Sequence, residues 1–231
     1  MNEPAASAPP PARRQRRREE VLETAARLFL EQGYAATSTT DIARELGLRR
    51  GSVYYYLDTK EELLYELIQR RFSSGIELLA RLEMVEGDEL DRLRWLIEQH
   101  ICAVAENLTP SALALNESRS LSPEHRAAIV AENDMYRAGV TALVAAGQRS
   151  GSIRHDVDPT LLTMAILGAA NWIHRWYDPA GGATPEDVGR QYAAVFTRGL
   201  APEPDVAALL DRIEQQARRI AELERQTGAD R

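Results

Sequence analysis

Between residues 13 and 200 the apolar side chains recur in steps of three and four, the period of one helix face, and alternating strand-like runs are lacking. The clearest series are Val21, Ala25, Leu28 and Phe29; Leu63, Leu64, Leu67, Ile68 and Phe72; Leu161, Leu162, Ala165, Ile166, Ala169, Trp172, Ile173 and Trp176; and Val188, Tyr192, Val195 and Phe196. Chemical start signals precede several of them. Thr59 and Glu62 have capping-box spacing, and Ser122-Pro123, Asp158-Pro159 and Thr184-Pro185 each place an N-cap oxygen before a proline whose missing N–H costs nothing at the first helical position. Gly33, Gly47, Gly151 and Gly181-Gly182 read as stops. The pattern predicts an all-α chain of about nine helices, with a tenth at the carboxyl end.

Four segments follow from this reading. Residues 1–12, rich in Pro, Ala and Ser, have too little to bury to offset the entropy of ordering and are expected as a disordered tail. Residues 13–60 form a small helical head, residues 61–200 a larger helical body, and the helix starting after Thr59 connects them. Residues 201–231 hold a Pro-rich joint and a helix with Val206, Leu210, Ile213, Ala217 and Ile220 at coiled-coil steps. About two heptads are too short to dimerise alone, so this helix is expected to pack on its own body or a partner's.

Within the head, Thr39 or Thr40 is expected to cap a helix carrying Ile42, Ala43 and Leu46 inward, Gly47 makes a tight turn, and a second short helix starts near Leu48. Two short helices about a glycine turn make a helix-turn-helix, whose second helix fits the major groove. The residues left outside suit DNA. Arg49 and Arg50 offer guanidinium forks for guanine edges or phosphates, Gly51 and Ser52 permit close approach, and Tyr54 and Tyr55 add rigid hydroxyl donors. Lys60, in the first turn of the next helix, places an ammonium beside free amide N–H groups, a combination that grips phosphate. The run Arg13, Arg14, Arg16, Arg17 and Arg18 either reaches neighbouring phosphates or a minor groove, or forms a solvated helix start.

Charge adds an asymmetry to this picture. The 231-residue chain carries net charge -7, which taken whole argues against a polyanion partner. Residues 1–60 nevertheless hold ten basic side chains against eight acidic, and the remainder 18 against 27. Of the 28 basic residues 27 are Arg, so Lys60 is a singular ammonium beside the expected reading helix. The single cysteine, Cys102, excludes an intramolecular disulfide and a multi-Cys metal site. No run approaches 18 apolar residues and the amino end lacks a signal-peptide core, so a cytoplasmic protein without membrane association is expected. GxGxxG, Walker, HExxH and GxSxG motifs are lacking, and no Glu stands three residues before any of the four His. These absences argue against an enzyme; no cofactor or metal is expected.

The segment GYAATSTTDIARELGLRRGSVYYYLDTKEELL, with the amphipathic EEVLETAARLFLEQ before it, resembles the amino-terminal DNA-binding domain of the TetR family of bacterial transcriptional repressors. The resemblance implies an all-α homodimer with a three-helix head, here followed by a ligand-binding and dimerisation domain. It also implies that base and phosphate contacts fall on Thr39, Arg49, Arg50, Gly51, Ser52, Tyr54, Tyr55 and Lys60. Leu57 departs from the family's usual Phe, and Arg49 stands where a small hydroxyl residue is common.

In the body, NESRSLSPEHR, GQRSGSIRHDVDP and GAANWIHRWYDPAGGATPEDV resemble the members that respond to acyl-coenzyme A esters. Trp172, Arg175 and Trp176 stand at i, i+3 and i+4, so on an α-helix two indoles and a guanidinium share one face and are candidate ligand contacts; the alternative is a core or dimer-interface role. Asn116, Glu117 and Arg119 are further candidates. Leu113, Leu115, Met135, Leu143, Met164, Leu167 and Trp172 are expected to line an acyl tunnel. The expected function is a DNA-binding repressor that leaves an inverted-repeat operator when a hydrophobic effector, an acyl-CoA, enters the body. Efflux control by drug-like molecules is the alternative, and an all-α bundle enzyme or adaptor without a DNA role is the rival from another class.

Overall fold

The computed structural model describes residues 11–48 and 59–202, together with Leu210, residues 213–216 and residues 218–219. The α-helices are α1 (Pro11–Gln32), α2 (Thr39–Glu45), α3 (Lys60–Arg81), α4 (Glu89–Glu106), α5 (Leu108–Asn116), α6 (Pro123–Ser150), α7 (Pro159–Asn171) and α8 (Pro185–Arg198). No strand occurs among the described residues. The helix expected to begin near Leu48, most of the carboxyl-terminal stripe and residues 1–10 lie outside the described residues. Helix α1 begins at Pro11, two residues inside the stretch expected to be tail.

The expected caps at Ser122, Asp158, Thr59 and Thr184 each accept from a backbone N–H of the first turn, and Thr59 and Thr184 complete reciprocal capping boxes with Glu62 and Asp187. Helix α2 corrects the sequence reading by one residue. Ser38, not Thr39 or Thr40, is its N-cap, because the Asp41 carboxylate reaches back to the Ser38 amide while the Ser38 hydroxyl takes the Asp41 N–H. Gly47 and Gly151 leave their helices with φ of +62° and +83°, a region that L side chains avoid.

Two apolar clusters organise these helices. One joins Val21, Leu22, Ala25 and Phe29 of α1, Ile42 of α2, Leu63, Leu64, Leu67 and Ile68 of α3, and Leu113 and Ile129 from α5 and α6. The other joins Leu78 of α3 with Leu93, Ile97 and Ile101 of α4, Tyr136, Val140 and Val144 of α6, Ile166 and Leu167 of α7, and Val188 and Ala193 of α8. Helix α3 therefore runs through both, its first half in one and its end in the other. Between the two halves lie Arg71 and Gly75. A side chain at Gly75 would meet the Tyr136 ring at 3.2 Å, so glycine lets α3 and α6 approach at that level.

Candidate functional site

At the head, the N-termini of α2 and α3 meet at an open cleft lined by Ala35 to Thr39, Thr59 and Lys60. Each helix start contributes first-turn amides with no partner inside the helix, which gives the cleft a partial positive charge that favours a phosphate. Lys60 behaves differently from the sequence reading. Its ammonium donates to the carbonyls of Tyr34 (2.8 Å) and Thr37 (2.9 Å) and sits 4.2 Å from the Tyr34 ring centroid. Two of its three donors thus staple the α1–α2 loop to the start of α3, and one remains for an outside acceptor. Arg17 and Arg18 are likewise committed within the protein: Arg17 pairs with Glu20, and Arg18 forms a fork on Glu66 of α3. Their run is in that part a bracing surface, not a free cationic arm. Thr39 stands in the first turn of α2, half-buried at the cleft. Arg49, Arg50, Gly51, Ser52, Tyr54 and Tyr55 lie outside the described residues.

The aromatic group in the body does not form the expected single face. Helix α7 ends at Asn171, and Trp172–Arg175 is a turn of 3-10 helix, in which residues three apart eclipse. The Arg175 guanidinium accordingly lies 5.7 Å from the Trp172 ring centroid, while Trp176 turns away and stacks on Tyr192 at 6.4 Å. Trp172 and Trp176 are exposed. The expected tunnel is also corrected: Leu115, Met135, Met164 and Trp172 face out, and Leu113 and Leu167 belong to different clusters. Asn116 and Arg119 are exposed, and the half-buried Glu117 accepts from Ser120 at 3.0 Å. With Leu161 and Val195, the exposed Met164, Trp172 and Trp176 make α7, α8 and the turn between them rich in uncovered apolar side chains.

The structure offers a different cavity. A cleft of about 640 Å³ opens between α1, α3 and the α4–α5 junction, walled by Leu22, Ala26, Leu67, Ala105, Leu108 and Pro110 and carrying Arg27, Arg70 and Arg71. Arg70 bridges α1 and α3 through Glu19, at 2.7 and 2.9 Å, and Glu66, and these carboxylates hold its proton more firmly than usual. Arg71 has 8% of its surface exposed. Its Nε donates to Ser111 Oγ at 3.2 Å and its Nη2 to Asn171 Oδ1 at 3.2 Å, with His100 Nε2 at 3.4 Å. Since guanidinium can only donate, His100 Nε2 must accept; the imidazole proton is then on Nδ1 and is directed at the Tyr136 hydroxyl, 3.0 Å away. Burial, reinforced by the Arg71 charge, pushes the His100 imidazole down to about 3, and burial pushes the Tyr136 phenol up. Both neighbours stay neutral, leaving Arg71 as the local charge.

Sequence reasoning did not single out Arg71, although a signal was present. Leu64, Leu67, Ile68, Gly75 and Leu78 mark the buried stripe of α3, and Arg71 stands at a stripe position where an apolar residue is expected.

Residues 21–67 match the description of the tetR family of bacterial regulatory proteins, and residues 86–200 match the tetracyclin repressor-like C-terminal domain. The transcriptional repressor KstR2 of Rhodococcus jostii is 31% identical over 185 residues, which cover 78% of this chain and 89% of that protein. The chain belongs to the TetR family. Among solved structures, KstR2 of Mycobacterium tuberculosis, described as a ketosteroid transcriptional regulator, has a TM-score of 0.76 and 29% identity over 81% of this chain and 96% of that one. AibR, solved in complex with isovaleryl coenzyme A and operator DNA, has a TM-score of 0.67 and 30% identity over 80% of this chain and 98% of that one. As a TetR-family member related to repressors, the chain is a DNA-binding transcriptional regulator and not an enzyme. The all-α architecture is that of the family, and no described helix is long and apolar enough to cross a membrane.

Proposed function

We propose that this regulator is a cytoplasmic homodimeric repressor that occupies an inverted-repeat operator and leaves it when an acyl-CoA binds between head and body. The observation that carries this reading is the position of the 640 Å³ cleft. One wall is α1, which the head's apolar cluster holds against α2, and the others are α3 and the α4–α5 junction. An occupant there bears on the angle between head and body. A ligand releases DNA only by binding better to a conformation whose two heads are wrongly spaced, and a cleft shared by head and body supplies that differential contact. The complex of AibR with isovaleryl coenzyme A and operator DNA supports the effector class.

In this reading Thr39, Arg49, Arg50, Gly51, Ser52, Tyr54 and Tyr55 face DNA. Lys60 acts mainly by setting the α1–α2 loop, with its third N–H on a phosphate. The exposed apolar side chains of α7 and α8 supply the dimer seam. Two heads on one dimer demand half-sites about 34–36 Å apart or a multiple of that spacing. Asn116, Glu117, Arg119, Trp172, Arg175 and Trp176 lie away from the cleft walls, and Arg70 and Arg71 replace them as the first candidates for effector contact. A mobility-shift assay with the DNA upstream of the protein's own gene tests the reading: a salt-sensitive, sequence-specific complex is expected, and the absence of any specific complex refutes it.

A further inference from the structure

We propose that Arg71, on the cleft wall and held in place by Ser111 and Asn171, is an oxyanion-binding site that takes a carboxylate or phosphate group of the effector. The inference rests on the cleft being the effector cavity, and it deepens that reading by stating what one end of the ligand carries.

Three guanidinium groups line the cleft. Arg27 pairs with Glu31 and Glu45, and Arg70 pairs with Glu19 and Glu66. Arg71 is the most deeply buried of the three, and it has no carboxylate within ion-pairing distance among the described residues. Its acceptors are a hydroxyl, an amide oxygen and a neutral imidazole, and its Nη1 has no protein acceptor among the described residues. A buried charge without a counter-charge is costly, and neutral hydrogen bonds recover only part of what water supplied. The carboxylates on the other walls do not answer it: Glu19 is engaged by Arg70, and neither Glu23 nor Glu106 reaches Arg71. Among the described residues none supplies the missing counter-charge, and the open cleft beside Arg71 can admit one from outside. A carboxylate or phosphate oxygen presented from the cleft to Nη1 completes the set of donors, while Ser111 and Asn171, which stand behind the cleft wall, hold Nε and Nη2 in place. Tyr136 and His100 behind the guanidinium fix its plane without competing for its charge.

The source of the oxyanion is either the acyl end of the ligand or the coenzyme A phosphates, and calorimetry on the full-length dimer separates them. The probes are hexanoyl-CoA, adipyl-CoA, free coenzyme A, adipate and inorganic phosphate, each with wild type, Arg71→Gln and Arg71→Lys. A charge-assisted pair corresponds to about 10- to 100-fold in affinity. If the carboxylate end is the source, adipyl-CoA binds wild type tighter than hexanoyl-CoA by that factor, the gap closes in R71Q and partly returns in R71K. If the phosphates are the source, hexanoyl-CoA and free coenzyme A weaken together in R71Q and recover in R71K. Thioesters that bind wild type and R71Q alike overturn the Arg71 assignment and leave the acyl-CoA reading standing. Adipate or phosphate binding that depends on Arg71, with no thioester bound, supports the oxyanion site and removes the acyl-CoA reading; binding of no anion at all overturns both. Should neither variant fold, thermal melts of wild type decide: stabilisation by adipate or phosphate beyond chloride at equal ionic strength supports the site, and its absence overturns it.

Discussion

Lowering the pH should destabilise this protein before its carboxylates begin to titrate, and His100 is the cause. Its imidazole is completely enclosed, faces a guanidinium on one side and a phenol on the other, and is pushed from 6.5 to about 3. In the unfolded chain the same imidazole takes up a proton as the pH falls through 6.5. The folded state therefore binds fewer protons than the unfolded state between 6.5 and about 3, and stability that is whole above 6.5 drains away as the pH falls. One proton corresponds to about 1.4 kcal/mol per pH unit, so the move from pH 8 to pH 4.5 removes on the order of 3 kcal/mol through this residue alone. The depressed carboxylates of Glu19, Asp41, Glu61, Glu89, Asp156 and Asp187 add their own losses as the pH falls through the ordinary values of 4.5 for Glu and 3.8 for Asp, and these losses are common to wild type and a variant altered at His100. The perturbation is His100→Gln, which keeps an oxygen for Arg71 and an N–H for Tyr136 but cannot titrate. The assay is urea denaturation at pH 8 and pH 4.5, at fixed protein concentration because a dimer's stability depends on it. Wild type should lose on the order of 3 kcal/mol more than the variant across this interval. Equal losses would show that His100 is not held neutral and would undo the tautomer assigned beside Arg71.

Further outcomes follow from the same structure. Arg50→Ala should leave the melting temperature unchanged and weaken operator binding by about 1–3 kcal/mol in an anisotropy titration, since the proposal gives it a base contact; unchanged affinity removes it from the reading surface. Leu161→Asp combined with Val195→Asp places charge on two side chains that are 71% and 73% exposed, and should yield a monomer by light scattering; a persistent dimer puts the seam elsewhere. Gly189→Val should lower stability by about 1–3 kcal/mol in thermal melts, because a Cβ there comes 3.0 Å from the Glu98 carbonyl, a backbone atom that cannot rotate aside; an unchanged melt contradicts the tight α4–α8 packing.

The parts of this fold legible in the sequence were those governed by local chemistry. Ser122-Pro123, Asp158-Pro159 and Thr184-Pro185 marked helix starts because an N-cap oxygen and a proline both act within one turn of their own position. Ser38 was passed over because Thr39 and Thr40 offer the same hydroxyl, and only the reach of Asp41 decides among three adjacent candidates. The shared face expected for the aromatic group is not formed, for a longer-range reason. Trp172, Arg175 and Trp176 share a face only if α7 continues, and its change to 3-10 geometry at Trp172 rotates Trp176 out of the group. Arg71, His100, Ser111, Tyr136 and Asn171 come from α3, α4, α5, α6 and α7, so no spacing along the chain brings them together. What the sequence did hold was a charge in the middle of an apolar stripe, which only a tertiary contact explains.

The central claim is that an acyl-CoA and operator DNA oppose each other on this regulator, and a competition titration tests it most directly. The full-length dimer is bound to a fluorescent operator fragment, and hexanoyl-CoA, free coenzyme A and hexanoate are added in separate titrations while anisotropy is followed. The account predicts that the thioester returns the DNA to its free anisotropy and that the hexanoate control does not. Operator that stays bound at thioester concentrations where calorimetry shows the protein saturated would contradict it, because a ligand that binds both states equally shifts nothing.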